Sequence, residues 1–137
     1  MKKLYVTSFL YLILGLLAGI FYREFTKASS FTEPTMLTGL HTHILTLGFL
    51  FFLILLLTST TSKLTAHKHF TRWFYFYNIG LLWTIITMAV RGVLEVLGND
   101  IPGFNHIAGT GHFLLGLGLI WLMLLLKKAF STKMLNY

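Results

Sequence analysis

The sequence contains no cysteine and has few acidic residues. The absence of cysteine excludes disulfides, thiolate metal sites and thiol redox chemistry, so any metal ligand must be a histidine, a methionine or an oxygen atom. Asp and Glu together number 4, against 11 Lys and Arg, and only 11% of the 137 residues are charged. A chain with so little charge and 55% hydrophobic residues is too apolar for a soluble domain. The composition therefore predicts an integral membrane protein.

Four apolar stretches occupy most of the chain. A membrane-spanning helix needs about 20 mostly apolar residues, and each stretch has that length. The first stretch follows two lysines, as the core of a signal peptide would, but no convincing cleavage site comes after it, and we interpret it as a helix. The short polar breaks leave no room for a soluble domain. We predict a single all-α domain over residues 1–137, an antiparallel bundle of four transmembrane helices at about 4–22, 36–58, 73–97 and 106–126.

The basic residues lie mostly on one predicted side of the membrane. The positive-inside rule therefore predicts that both termini are cytoplasmic. The formal charge of +7 is a topology signal, and contact with anionic membrane lipid is its secondary consequence. Nucleic-acid binding is not expected, because no basic surface domain remains outside the helices. The residues that carry the signal are Lys2, Lys3, Lys63, Lys68, Arg72, Lys127, Lys128 and Lys133.

Two histidines lie near the predicted outer end of the second helix. Ionisable groups inside a membrane are costly, so each marks a candidate functional site. His41 and His43 are separated by about 200° around a helix, so they point to opposite faces and do not chelate one ion together. One interpretation makes at least one of them a metal or heme ligand. In the second interpretation neither histidine is a ligand: one makes a hydrogen bond to a neighbouring helix, and the second histidine reaches water near the membrane interface.

A third histidine lies among glycines on the fourth predicted helix. Gly109, His112 and Gly116 share one face at spacings of three and four. Bare backbone on both sides of an imidazole suits the packing of a porphyrin, and Gly48 on the second helix offers a similar surface to a flat ligand. The alternative is a helix-contact face with a buried histidine that donates to a backbone carbonyl.

A charged pair is predicted on the third helix. Arg91 and Glu95 are four residues apart and can form an ion pair with each other. Alternatively, Arg91 neutralises a heme propionate at the depth where the edge of a heme would emerge. The two interpretations are compatible, with Glu95 orienting the guanidinium.

The segment His41-Thr42-His43-Ile44-Leu45-Thr46-Leu47-Gly48 resembles the His-x-His heme-ligand segments of the heme-copper oxidase and nitric oxide reductase superfamily. The whole chain also resembles a family of small four-helix bacterial membrane proteins of unknown function. The first resemblance implies that His41 and His43 ligate iron in different hemes, and that a homotrimer imitates the superfamily's pseudo-threefold ring. The copper-centre histidines, the tyrosine linked to that centre and recognisable proton-uptake residues are missing, so oxygen reduction and proton pumping are not implied.

Our leading hypothesis is a b-type cytochrome of the bacterial cytoplasmic membrane that holds heme b (iron) through His41, His43 and His112. His112 provides a ligand within the chain, or a neighbouring protomer provides one between chains. The heme passes electrons, with a quinol or a cytochrome as redox partner, or binds a diatomic gas such as NO or O2. Whether it is an enzyme stays open. A transporter or binding protein for a metal ion or heme, and an accessory membrane subunit, are the alternatives.

Overall fold

The computed structural model describes residues 1–62, 64–99, 101 and 103–134, and regular secondary structure in them is entirely helical. The predicted all-α class is confirmed over this part of the chain. The second apolar stretch forms three consecutive segments: α2, a π-helical segment and α3. In chain order the helices are α1 (Lys2–Ala28), α2 (Leu37–His43), the π-helical segment (Ile44–Leu50), α3 (Phe51–Thr61), a 3-10 turn (Leu64–Ala66), α4 (Phe70–Val96) and α5 (Phe104–Met134).

Four helical stretches of the described residues are long and apolar enough to cross a membrane, as predicted. They are Lys2–Ala28, Leu37–Thr61, Phe70–Val96 and Gly109–Phe130. The first helix continues to Ala28, six residues beyond the predicted end at 22, and the second continues to Thr61 rather than 58. Hydropathy locates the part of a helix that lies in hydrocarbon, whereas backbone hydrogen bonds carry the helix on into the polar interface.

The π-helical segment in the middle of the second span was not predicted. Short π-helical insertions are often found at functional sites. Two of its carbonyls accept hydrogen bonds from other helices: the Tyr77 hydroxyl donates to the Leu47 oxygen at 3.1 Å, and the Ser8 hydroxyl donates to the Phe49 oxygen at 3.0 Å. These bonds join the segment to α4 and α1 at the point where its backbone hydrogen bonds span five residues instead of four.

The helices pack in chain order. α1 lies against the second span, the second span lies against α4, and α4 lies against α5 along its length. The third and fourth spans are therefore neighbours. Between the second span and α4 the core is aromatic: Trp73, Tyr77 and Phe52 are fully buried, and the rings of Phe51 and Tyr77 stack at 4.6 Å. The Trp73 indole nitrogen donates to the Gly118 oxygen at 2.8 Å and thereby fastens α5 to this core.

Glycines allow the close approach of several helices. A Cβ on Gly48 would lie 2.5 Å from the Tyr11 ring, and one on Gly92 would lie 2.6 Å from the backbone nitrogen of Leu37. Gly111 and Gly118 of α5 face Thr84 and Tyr77 in the same way. Small residues at helix contacts are how helices approach one another in lipid, where burial from water contributes no driving force. Glycine therefore serves helix packing at these four positions.

Candidate functional site

The second span directs its two histidines to opposite sides. A Cβ on Gly19 of α1 would lie 3.7 Å from the His41 Cβ, so His41 packs against α1. His43 lies on the other side, where its ring meets the ring of His112 on α5. The predicted divergence of the pair is confirmed. It follows directly from a turn of about 100° per residue, because both histidines precede the π-helical segment.

His43 and His112 form a pair of imidazoles. Their ring centres are 6.1 Å apart and the ring planes are nearly perpendicular, at 86°. His43 Nδ1 lies 2.9 Å from the Gly39 oxygen. A carbonyl can only accept, so Nδ1 carries the hydrogen in this bond and a neutral ring keeps its lone pair on Nε2. The backbone thus fixes the tautomer and leaves one nitrogen as a metal ligand, as the outer-shell partners of ligating histidines do.

The face of α5 that carries His112 is open. His112 is exposed, and nothing lies within 4 Å of a Cβ built on Gly109 or Gly116. Within one chain, these three residues therefore do not form a buried helix-contact face. Spacing shows which residues share a face but does not show whether that face meets a neighbouring helix. The bare backbone beside His112 stays open to a flat ligand or to another chain.

Gly48 has a different environment from Gly109 and Gly116. The Tyr11 ring takes the space over its backbone, so Gly48 serves the packing of α1 on the second span. The Tyr11 ring also stacks on Phe52, with the ring centres 5.9 Å apart. We therefore do not place Gly48 at the cofactor site. The sequence could not separate its two uses, because both need the same absence of a side chain.

His41 holds an unpaired polar atom. Among the described residues, its Nδ1 is the one buried side-chain nitrogen or oxygen without a hydrogen-bond partner. The other ring nitrogen, Nε2, lies 3.4 Å from the Thr42 hydroxyl, a long contact. Leaving a buried polar atom unpaired costs about 1–3 kcal/mol, so such an atom calls for a functional explanation.

Arg91 and Glu95 form the predicted ion pair. Arg91 Nε lies 3.0 Å from Glu95 Oε1, and about a quarter of each side chain is exposed, 27% and 25%. Glu95 also accepts a hydrogen bond from the backbone nitrogen of Met36, 2.7 Å from its Oε2. A carboxylate at the start of a helix satisfies a free backbone N–H and complements the helix dipole. Glu95 therefore joins the end of α4 to the start of the second span, a role that the sequence analysis missed.

Thr35 makes a second link at the same place. Its hydroxyl donates to the Gly92 oxygen at 3.0 Å and accepts a hydrogen bond from the Leu37 nitrogen at 3.3 Å. Together with Glu95, it sets the height of the second span against α4. A threonine directly before an apolar run is a recognised helix-start signal, so the sequence carried a cue for this contact.

A neutral polar network lies nearer the opposite end of the helices and was also missed. The Tyr11 hydroxyl donates to Asn78 Oδ1 at 2.9 Å, and Asn78 Nδ2 donates to the Phe74 oxygen at 2.8 Å. An asparagine inside an apolar span was the available signal, because an amide in lipid needs a partner. The network connects α1 to α4, and its members carry no charge.

In the part of the chain that the structure describes, the histidines do not gather into a closed site for a bare metal ion. Among the described residues, no group of three or more His, Cys, Asp or Glu side chains could hold a metal ion. His43 and His112 are therefore a pair of imidazoles with no third side chain of those residue types beside them in this part of the chain. An ion with tetrahedral preference would need its remaining ligands from elsewhere.

Comparison with known proteins gives a family but no activity. No curated protein and no solved structure matches the chain. The likeness of the His41–Gly48 segment to the heme-copper oxidases stays a resemblance. Residues 1–129, nearly the whole chain, match the family model described as "Protein of unknown function (DUF2871)". The chain, with its four apolar helices, therefore belongs to the DUF2871 family of proteins of unknown function.

Proposed function

We propose that the protein is a membrane b-type cytochrome that binds heme b through His43 and His112 of one chain. The observation that carries this proposal is the convergence of two imidazoles with no third side-chain ligand among the described His, Asp and Glu residues. A bare metal ion in a protein commonly takes about four ligands, of which this pair supplies half. A porphyrin brings four nitrogens of its own and needs only one or two axial ligands from the protein. The pair is therefore matched to heme better than to a free ion.

The spacing of the rings supports the same assignment. Two imidazoles that were to share one metal would have their ring centres at most about 6 Å apart, because a metal–nitrogen bond is about 2 Å long. The observed separation of 6.1 Å is of that size. The Gly39 carbonyl holds His43 in the ligating tautomer, and the open backbone at Gly109 and Gly116 gives a flat macrocycle a surface without side chains.

Arg91 is the proposed partner of a heme propionate. Its Nε pairs with Glu95 Oε1, and a guanidinium has further N–H donors on its two terminal nitrogens with which a second carboxylate could pair. Gly39 contacts Met88, one helical turn before Arg91 on α4, so the arginine lies at the histidine end of the helix. A guanidinium at this depth would offset the charge of the propionates.

His41 is proposed as a ligand between chains. It points away from His43 and is half-buried, with Nδ1 covered by the chain itself, so ligation would use Nε2 and a heme on that side would need its other ligand from a neighbouring protomer. A homotrimer, in which such faces meet in a ring, is the assembly that we propose. A bis-histidine heme has no open position and serves electron transfer, with a quinol or a cytochrome as partner, whereas a five-coordinate heme can bind NO or O2.

The absorption spectrum of the purified protein tests the proposal. We expect a b-type heme that survives detergent extraction, with a Soret band that sharpens and α and β bands that appear on reduction with dithionite. A matched iron determination should give about one iron for each chain if the within-chain site is filled. A colourless, iron-free protein from heme-sufficient cells would contradict the proposal.

A transporter or binding protein for metal ions is the second candidate. A site with only two imidazoles supports a transport function, because it would bind and release an ion more readily than a site with a full set of ligands does. Such a protein would be colourless and would bind zinc or copper ions weakly. A protein without either property, tolerant of the loss of every membrane histidine, would instead be an accessory subunit.

We also propose that both termini face the cytoplasm of a bacterial cell. The chain lacks cysteine, so a single introduced cysteine is the only thiol that a maleimide can label. In intact cells, an impermeant maleimide is expected to label Asn99→Cys, and to label Lys68→Cys only after the membrane is opened. The reverse pattern would contradict this orientation and would place the histidine pair at the cytoplasmic end.

A further inference from the structure

Two adjoining cavities lie at the membrane end where α1 and α4 begin. One has a volume of about 270 Å³ and is lined by Lys2, Lys3, Leu4, Thr65, Thr71 and Phe74, among others. The second, of about 490 Å³, shares both lysines and Phe74 and continues along Val6, Thr7 and Tyr75. The first thus combines ammonium groups with hydroxyls, and the second leads from those cations onto the apolar surface of the helices.

Lys2 and Lys3 have no acidic side-chain partner among the residues that the structure describes. The described acidic residues are Glu24, Glu33 and Glu95, in or beside the loops of the opposite end. Two of these carboxylates form ion pairs, Arg23–Glu24 and Arg91–Glu95, and both pairs are at that end. Lys3 Nζ instead lies over the Tyr75 ring, 5.6 Å from its centre, which holds the cation beside the second cavity. None of the described acidic side chains supplies a counter-charge to Lys2 and Lys3, so this pair can take an anion from outside the chain.

We propose that these cavities form a binding site for one anionic phospholipid. Lys2, Lys3 and the Thr71 hydroxyl bind the headgroup phosphate, as ammonium and hydroxyl donors do. An acyl chain follows the second cavity over Val6 and Tyr75, which are 42% and 54% exposed. A free phosphate would use only the polar cavity. Continuity of the two cavities is what favours a lipid, because the ligand must be anionic at one end and apolar at the other.

The test is the amount of lipid retained by the full chain. The purified protein is incubated with equal amounts of phosphatidylglycerol and phosphatidylcholine, and bound lipid is counted by native mass spectrometry. We expect selective retention of one phosphatidylglycerol. Lys2→Gln with Lys3→Gln should weaken it about 25-fold, at about fivefold for each cation near the headgroup. Lys127→Gln with Lys128→Gln is the matched control, with the same charge change on α5 and away from both cavities, and should change retention less than twofold.

Two further variants keep the test decisive. The variant with Lys2→Arg and Lys3→Arg keeps both positive charges and should retain the lipid. This result would show that the loss in the glutamine variant comes from the missing charge and not from misfolding. Val6→Trp fills the apolar cavity and should reduce phosphatidylglycerol retention without changing the binding of inorganic phosphate. Equal losses in the two glutamine pairs would show a diffuse surface charge and overturn the proposal. Competition by inorganic phosphate, together with an unaffected Val6→Trp variant, would identify a free phosphate site and overturn the assignment to lipid.

Discussion

Replacement of His43 by alanine is expected to abolish the within-chain heme site. His43 is the histidine whose tautomer is fixed by the Gly39 carbonyl and whose ring meets His112. Loss of a ligand should lower heme retention far more than the tenfold or so that loss of a supporting contact typically costs. His112→Ala should give the same loss if the site lies within one chain. The measurement is heme per chain and the reduced spectrum after identical purification.

The control for these variants is His106→Ala. His106 is exposed near the start of α5 and is not one of the proposed ligands, so its loss should leave the heme content unchanged. Heme loss with His41→Ala but not with His43→Ala or His112→Ala would move the site to the face between chains. Wild-type spectra in all three variants would refute histidine ligation by these helices.

Gly92→Ala is expected to destabilise the protein strongly. The added Cβ would lie 2.6 Å from the Leu37 nitrogen, a backbone atom that cannot move without displacing the start of the second span. The Gly92 oxygen also accepts a hydrogen bond from the Thr35 hydroxyl, so a displacement of α4 from the second span would break that bond as well. Overpacking of a tight contact typically costs about 1–3 kcal/mol, and we expect the upper part of that range. The free energy of unfolding in mixed micelles, titrated with a denaturing detergent, measures it.

Gly116→Ala is the matched control for Gly92→Ala. The substitution is chemically the same, but a Cβ at Gly116 meets nothing within 4 Å. Alanine also favours a helix by about 0.5–1 kcal/mol over glycine, so in the heme-free protein, where the proposed contact of Gly116 with heme plays no part, this variant should be neutral or slightly stabilised. Equal losses at the two positions would mean that the Gly92 contact is looser than the structure shows, or that α5 is covered by another chain.

Periodicity and hydropathy were enough to predict the spans and several side-chain relations. The four apolar stretches gave four helices because length and apolarity alone decide which segments can cross a membrane. The opposite directions of His41 and His43 followed from helix geometry, and the Arg91–Glu95 pair followed from its spacing. Each of these inferences concerns residues on a single helix, where the relative angle of two side chains is known.

Relations between helices were harder to predict. In lipid, the outward face of a helix is as apolar as its inward face, so the sequence did not show that Gly109 and Gly116 lie on an open face. The contact of His43 with His112 needs the rotation and height of two helices, which Thr35 and Glu95 help to set. The π-helical segment leaves no mark in composition, because Ile44–Leu50 is as apolar as an ordinary span.

The π-helical segment also separates the angular settings of the two ends of its span. Each residue turns an α-helix by about 100°, so one extra residue in a turn offsets everything beyond it by about that angle. His41 and His43 precede the segment, whereas the buried ring of Phe52 follows it. Removing one residue between them would change the angle between the histidines and Phe52 by roughly a quarter-turn, so the span could not keep both the links of Thr35 and Glu95 at its start and the aromatic core at its other end. The number of residues in the π-helical segment therefore fixes the direction in which the imidazoles face relative to that core.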